Sequence, residues 1–130
     1  QDFIDTAHRW RKMFGGGMRQ SGVLAAAGIY ALENNIERLE EDHSRIKRLA
    51  SALNEMQTFS VEMETVQTNM VYIDVDKTRF SGAETVDALA ERGVDLFATD
   101  SQRLRAVTHL DVDDEGIEQA IEAFAELDEF

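Results

Sequence analysis

Along the first half of the chain, apolar side chains recur every three or four positions. In residues 2–14, DFIDTAHRWRKMF, Phe3, Ala7, Trp10 and Phe14 fall on one helical face. Gly15, Gly16 and Gly17 then end that helix, because glycine enters the left-handed conformations of a C-terminal cap without a Cβ penalty. From Met18 the pattern restarts in MRQSGVLAAAGIYALEN, a helix whose Gly22, Ala25, Ala26, Ala27 and Gly28 let backbones approach closely. Such a helix is expected in a crowded interior or a subunit interface. Asn34 and Asn35 break it. IERLEEDHSRIKRLASALNEM follows as a long amphipathic helix with Ile36, Leu39, Ile46, Leu49 and Leu53 as its stripe. Its polar face carries i,i+4 pairs such as Glu41–Arg45, and His43, near the stripe, reads as a packed or rim histidine.

The period then changes. TFSVEM and TNMVYIDVD have strand composition, with Met70, Tyr72 and Asp74 alternating with Val71, Ile73 and Val75. SGAETVDALAERG is a short helix, with Ser81 as N-cap, Glu84 completing a capping box and Gly93 as the stop. VDLFAT and RLRAVTH are two further strands, joined by a turn at Asp100 to Gln102. DVDDEGIEQAIEAFAELDEF closes the chain as a helix capped by Asp113, with Ile117, Ala120, Ile121, Phe124 and Leu127 as its stripe. The predicted fold class is α/β (α+β): long N-terminal helices, then a β-β-α-β-β-α run with helices packed on one face of a small, mostly antiparallel sheet.

Composition narrows the chemistry. The 130 residues include no cysteine, which removes disulfides, thiolate metal sites and thiol catalysis, and no proline, which favours uninterrupted helices. His8, His43 and His109 are too scattered for a metal site. No apolar run approaches the length of a membrane span, and the first residues lack the apolar stretch of a signal peptide, so a cytoplasmic protein is expected. The net charge of −13 is uneven: residues 1–20 carry +2 and the remainder −15. So acidic a body argues against nucleic acid as a partner. Ten arginines against three lysines, with this acid excess, raise the expectation of high-salt adaptation.

Three places offer a site. Lys12 and Arg19 flank the glycines, and backbone amides ahead of a new helix beside cations make an anion site. The alternative is a plain helix–turn–helix with solvated arginines. The spacing matches neither dinucleotide nor mononucleotide phosphate loops. On the strand RLRAVTH, Arg103, Arg105 and Val107 share one face, and Leu104, Ala106 and Thr108 the other. An arginine among apolar strand residues needs a partner, either a carboxylate ligand held by two parallel hydrogen bonds or one of the many local acids. His109 ends that strand, where structural hydrogen bonding is favoured over proton transfer. With this many acids, no carboxylate pair is informative.

RWRKMFGGGMRQSGVLAAAGIYALENN, the EDH at 41–43 and RAVTHLDV at 105–112 resemble the C-terminal part of low-specificity L-threonine aldolases. These are fold-type I enzymes using pyridoxal 5′-phosphate (PLP) to cleave β-hydroxy-α-amino acids to glycine and an aldehyde. The likeness is weaker in residues 56–67 and 77–102. It implies that residues 1–34 are trailing helices of the large cofactor-binding domain and subunit interface, and that 35–130 form the small C-terminal domain. It implies a homotetramer, a dimer of dimers with sites at a subunit interface. It implies that Lys12 and Arg19 meet the cofactor phosphate of the neighbouring subunit and that Arg105 binds the substrate α-carboxylate, with Arg103 as a competitor for that role. The family's Schiff-base lysine lies upstream of the matching segment, and none of Lys12, Lys47 or Lys77 stands in its position. The expectation is therefore a C-terminal portion with no catalytic residue of its own, inactive alone. A non-catalytic oligomerisation or regulatory module, or the C-terminal part of another fold-type I lyase or transaminase, are the alternatives.

Overall fold

The computed structural model describes residues 1–129. The chain divides into two compact units, Gln1–Ile36 and Glu37–Phe130.

The first unit holds α1 (Asp2–Met13) and α2 (Gly22–Asn34). The end of α1 shows what the three glycines do. The Gly16 amide donates to the Arg11 carbonyl at 2.8 Å and the Gly15 amide to the Lys12 carbonyl at 3.1 Å. These two bonds form a Schellman cap, which satisfies carbonyls the helix leaves unpaired. Gly15 sits at φ +86, a region that disfavours any side chain, and a Cβ on Gly16 would lie 2.8 Å from the Arg11 backbone oxygen. Gly17 is different: a Cβ there would meet only the mobile end of Lys12, with Nζ at 2.8 Å. The second helix does not begin at Met18, as the apolar pattern suggested. Residues 18–21 turn instead, with Gln20 at φ 50, and α2 starts at Gly22 without a side-chain cap at Ser21. The glycines therefore precede a turn rather than the amides of a helix. Neither helix has a buried residue among those described. The predicted stripe of α1 is exposed, and its Trp10 and Phe14 rings stack on each other at 5.8 Å.

The second unit contains α3 (Leu39–Leu53), β1 (Phe59–Ser60), β2 (Met70–Val75), α4 (Gly82–Ala90), β3 (Phe97–Asp100), β4 (Arg103–Val107) and α5 (Asp114–Asp128). The four strands form one wholly antiparallel sheet in the order β1-β2-β4-β3. α3 and α5 pack together, α3 lies on β2, and α4 touches β3, β4 and α5. The core fills the space between helices and sheet: Ile46, Leu49 and Leu53 from α3, Val71, Ile73 and Val75 from β2, Leu104 and Ala106 from β4, and Ile117, Phe124 and Leu127 from α5. Phe59 meets Phe124 edge to face at 4.8 Å, the geometry that aromatic quadrupoles favour.

Local signals set several boundaries. Ser81 and Glu84 form the full capping box, with the Ser81 amide donating to Glu84 Oε2 at 2.8 Å. The Asp113 side chain accepts from the Gly116 amide at 2.9 Å at the start of α5. Three elements are shorter than the periodicity implied. α3 starts at Leu39, leaving Ile36 exposed. The strand after α4 begins at Phe97, not Val94. TFSVEM contributes only two strand residues, because the Asn54 side chain takes over the backbone of Val61: its Oδ1 accepts from the Val61 amide at 2.6 Å and its Nδ2 donates to the Val61 carbonyl at 2.8 Å.

Asp128 ties the end of α5 to the entrance of β1. Its carboxylate accepts from the Gln57 amide at 3.0 Å and from the Thr58 amide at 2.7 Å. Burial works to raise this carboxyl, but hydrogen bonds from Thr58 and Gln57, with Arg79 nearby, hold it below the usual range. Asp128→Ala is expected to lower stability at neutral pH by about 2 kcal/mol, since charged hydrogen bonds contribute roughly 1.5–3 kcal/mol. The folded pKa lies below the unfolded one, so the stabilisation is complete above about pH 4 and vanishes as pH falls through the folded pKa. Urea titrations should show the wild type and the variant converging in acid, and a gap that persists there would refute this role.

Candidate functional site on the open sheet face

Within the second unit, α3, α4 and α5 cover one face of the sheet. The other face carries the alternate residues of each strand: Met70, Tyr72 and Asp74 from β2, Phe97 from β3, and Arg103, Arg105 and Val107 from β4. On β4 the buried residues are Leu104 and Ala106, so the arginines share the outer face, as the alternation predicts. Met70, Tyr72, Phe97 and Val107 are exposed apolar or aromatic groups around them.

The two arginines have different surroundings. Arg103 stands directly opposite Asp74 across the β2–β4 ladder. Its Nε donates to Asp74 Oδ1 at 2.7 Å and its Nη2 to Oδ2 at 3.1 Å, a two-pronged pair. The hydrogen bond to Asp74, reinforced by that carboxylate's charge, raises the Arg103 pKa further above an already high value. Arg105 has no such acid among the described residues. Its register partners are Tyr72 on β2 and Phe97 on β3. Its guanidinium carbon lies 5.9 Å from the centre of the Phe97 ring, within cation–π range. Its Nε is buried and finds no hydrogen-bond partner among the described residues. A buried donor of a charged group without an acceptor is costly, so this guanidinium is the one on the face with binding capacity to spare.

Asp74 and Phe97 were not singled out in the sequence. For Asp74 the signal was present in the alternation that places Met70, Tyr72 and Asp74 on one side of β2. What was missing was the register that sets Asp74 against Arg103 and Phe97 against Arg105.

Lys12 and Arg19 lie in the first unit. Both are exposed, and neither forms an ion pair among the described residues. The Lys12 ammonium folds over Gly17. Arg19 belongs to the turn between the Schellman cap and α2.

His109 Nδ1 accepts from the Asp111 amide at 3.3 Å, which shapes the turn after β4. His43 is half-buried on α3. The EDH and VTH segments meet directly: Thr108 Oγ1 donates to the Asp42 carbonyl at 2.9 Å, in a fully buried contact. Asp42 itself is 2 % exposed and held by Arg38, with Nη2 to Oδ1 at 2.8 Å and Nη1 to Oδ2 at 3.0 Å. These residues fasten α3 to the end of the arginine strand; they hold the site rather than line it. No described helix is long and apolar enough to cross a membrane.

Comparison with known proteins agrees with this architecture. The chain is 46% identical over 114 residues to a low specificity L-threonine aldolase of Escherichia coli, covering 86% of this chain and 32% of that protein. It is 38% identical over 125 residues to low-specificity L-threonine aldolase 1 of Arabidopsis thaliana, covering 95% and 35%. The chain thus spans about a third of the length of the curated relatives it matches. A solved structure of a lysine-to-alanine mutant of C-DES, with glycine covalently linked to its PLP cofactor, superposes with a TM-score of 0.63 at 24% identity, over 85% of this chain and 28% of that one. That likeness shows the fold: an α/β unit like part of a PLP-bearing enzyme. The family model for the beta-eliminating lyases matches residues 1–76, more than half of the sequence, and the chain belongs to the beta-eliminating lyase family.

Proposed function

We propose that this chain is the C-terminal part of a PLP-dependent L-threonine aldolase, a carbon–carbon lyase that cleaves threonine or allo-threonine to glycine and acetaldehyde. The observation that carries the reading is Arg105, a guanidinium with an unpartnered buried Nε, on a sheet face where the neighbouring arginine is already engaged. An amino-acid carboxylate is the acceptor that suits it, through two parallel hydrogen bonds.

The residues present fit the anionic ends of a PLP-bound amino acid. Arg105 suits the α-carboxylate. Lys12 and Arg19 suit the phosphate, and Gly17 leaves room beside the Lys12 ammonium that any Cβ would fill. When bound, PLP supplies the electron sink that lets the Cα–Cβ bond break. This chain's part is binding and orientation: Arg105 fixes the substrate by its carboxylate, and the cations at the glycine turn anchor the phosphate end in a neighbouring subunit. No lysine here stands where the family bonds its cofactor, so the chain by itself is inactive. The exposed apolar residues of α1 and α2, Phe3, Trp10, Phe14, Leu24 and Ile29 among them, support a subunit interface, in a cytoplasmic homotetramer built as a dimer of dimers.

The test is an assay of the complete protein with threonine as substrate. Glycine and acetaldehyde in equal amounts, dependent on added PLP, support the proposal. Transfer of the amino group of alanine to a different 2-oxo acid, releasing pyruvate, or binding without turnover, would replace it with a transaminase or a non-catalytic module. Within that protein, Lys12→Ala or Arg19→Ala is expected to weaken PLP retention about tenfold each, the loss of one charged hydrogen bond. Dialysis followed by absorbance of the retained cofactor reads this directly, and full retention would remove the residue from the phosphate site.

A further inference from the structure

We propose that Phe97 is the positioning residue for Arg105: its ring holds the guanidinium in place without using any of its hydrogen-bond donors. This inference rests on the carboxylate role given to Arg105 above.

An arginine that binds a ligand must be held still. Its side chain otherwise loses about 2 kcal/mol of rotamer entropy on ordering. The sheet holds its two outward arginines in opposite ways. Arg103 is fixed by Asp74, which occupies its Nε and one Nη. That arrangement orders the side chain but consumes the edge that would grip a carboxylate. Arg105 is fixed by a ring. The ladder places Phe97 opposite Arg105, and the guanidinium carbon comes to 5.9 Å from the ring centre. A guanidinium held against a ring by its π-face keeps its in-plane N–H groups free, because they radiate from its edge. In keeping with this, the buried Nε of Arg105 has no hydrogen-bond partner among the described residues.

Two further features fit a positioning role. Phe97 is 71% exposed, so burial within this chain does not account for a phenyl ring there. The β3–β4 ladder also keeps Phe97 and Ala98 in step with Arg105 and Leu104, and the irregularity falls beyond them, between Ala98 and Asp100. The bulge therefore adjusts the turn without disturbing the pair.

The experiment uses the complete protein with PLP and compares Phe97→Leu, Phe97→Tyr and Arg105→Ala, alone and with Phe97→Leu added to Arg105→Ala. Leucine keeps apolar bulk and removes the ring, whereas tyrosine keeps the ring. Phe97→Leu is expected to raise the threonine KM about fivefold, the scale of a partly exposed cation–π contact, with kcat and cofactor absorbance unchanged. Phe97→Tyr should restore the wild-type KM, and Phe97→Leu should have no further effect once Arg105 is alanine. A Phe97→Leu KM equal to wild type, beside a raised KM in Arg105→Ala, overturns the positioning role and leaves the carboxylate role standing. The same rise in both backgrounds, or a loss of cofactor with no KM change, overturns it as well. An unchanged KM in Arg105→Ala overturns the carboxylate role itself, and this inference with it.

Discussion

In the complete protein, Arg105→Ala is expected to raise the KM for amino-acid substrates about a hundredfold, while PLP stays bound. Truncating one member of a desolvated charge pair costs about 2–5 kcal/mol, and a hundredfold lies within that range. Arg103→Ala is the internal control. Arg103 lies two residues away on the same face, but its guanidinium is committed to Asp74, and both side chains are about half exposed. An exposed pair of this kind is worth at most about 1 kcal/mol, so the KM of that variant should stay close to wild type. Steady-state kinetics on the two proteins decide the matter. If Arg103→Ala carries the penalty and Arg105→Ala does not, the assignment is reversed.

The second large effect is on stability. Arg38→Ala is expected to destabilise the second unit by about 3 kcal/mol, because removing one partner strands a buried charge. Asp42 would lose both short hydrogen bonds, keeping among the described residues only Arg45 Nη1 at 3.9 Å. Its main-chain oxygen receives Thr108 at the end of β4, so disturbance there reaches the strand that bears Arg105. Urea unfolding of the wild type, Arg38→Ala and the double variant Arg38→Ala with Asp42→Asn would test this. The neutral amide should recover part of the loss, since no unpaired charge remains. A double variant as unstable as Arg38→Ala would mean that lost packing, not an orphaned carboxylate, is responsible.

Much of the fold is legible in local sequence because the determinants are local. Ser81 and Glu84 are three residues apart and reach each other's backbone, so the start of α4 can be read directly. The same is true of Asp113 at α5 and of the glycines closing α1. The alternation at 103–108 gives the two faces of β4. The failures are of another kind. β1 is short because Asn54 pairs with Val61 by a side chain, which no period encodes. The late start of α2 depends on Gln20 at positive φ, a conformation glycine would have advertised and glutamine does not. At the site, alternation places both arginines on one face but does not choose between them. The choice is made by residues about thirty positions upstream and eight back along the chain, Asp74 and Phe97, through strand pairing.

The sheet also limits how this polypeptide can associate. One rim is β1, with two paired residues; the other is β3, four residues interrupted by an irregular step. Short or broken rims are poor templates for a further strand. Fibre-like growth by hydrogen-bonded addition is thereby discouraged, although aromatic groups lie uncovered on the broad surface. Assembly is left to side-chain complementarity, which can be selective about its partner in a way that backbone pairing cannot.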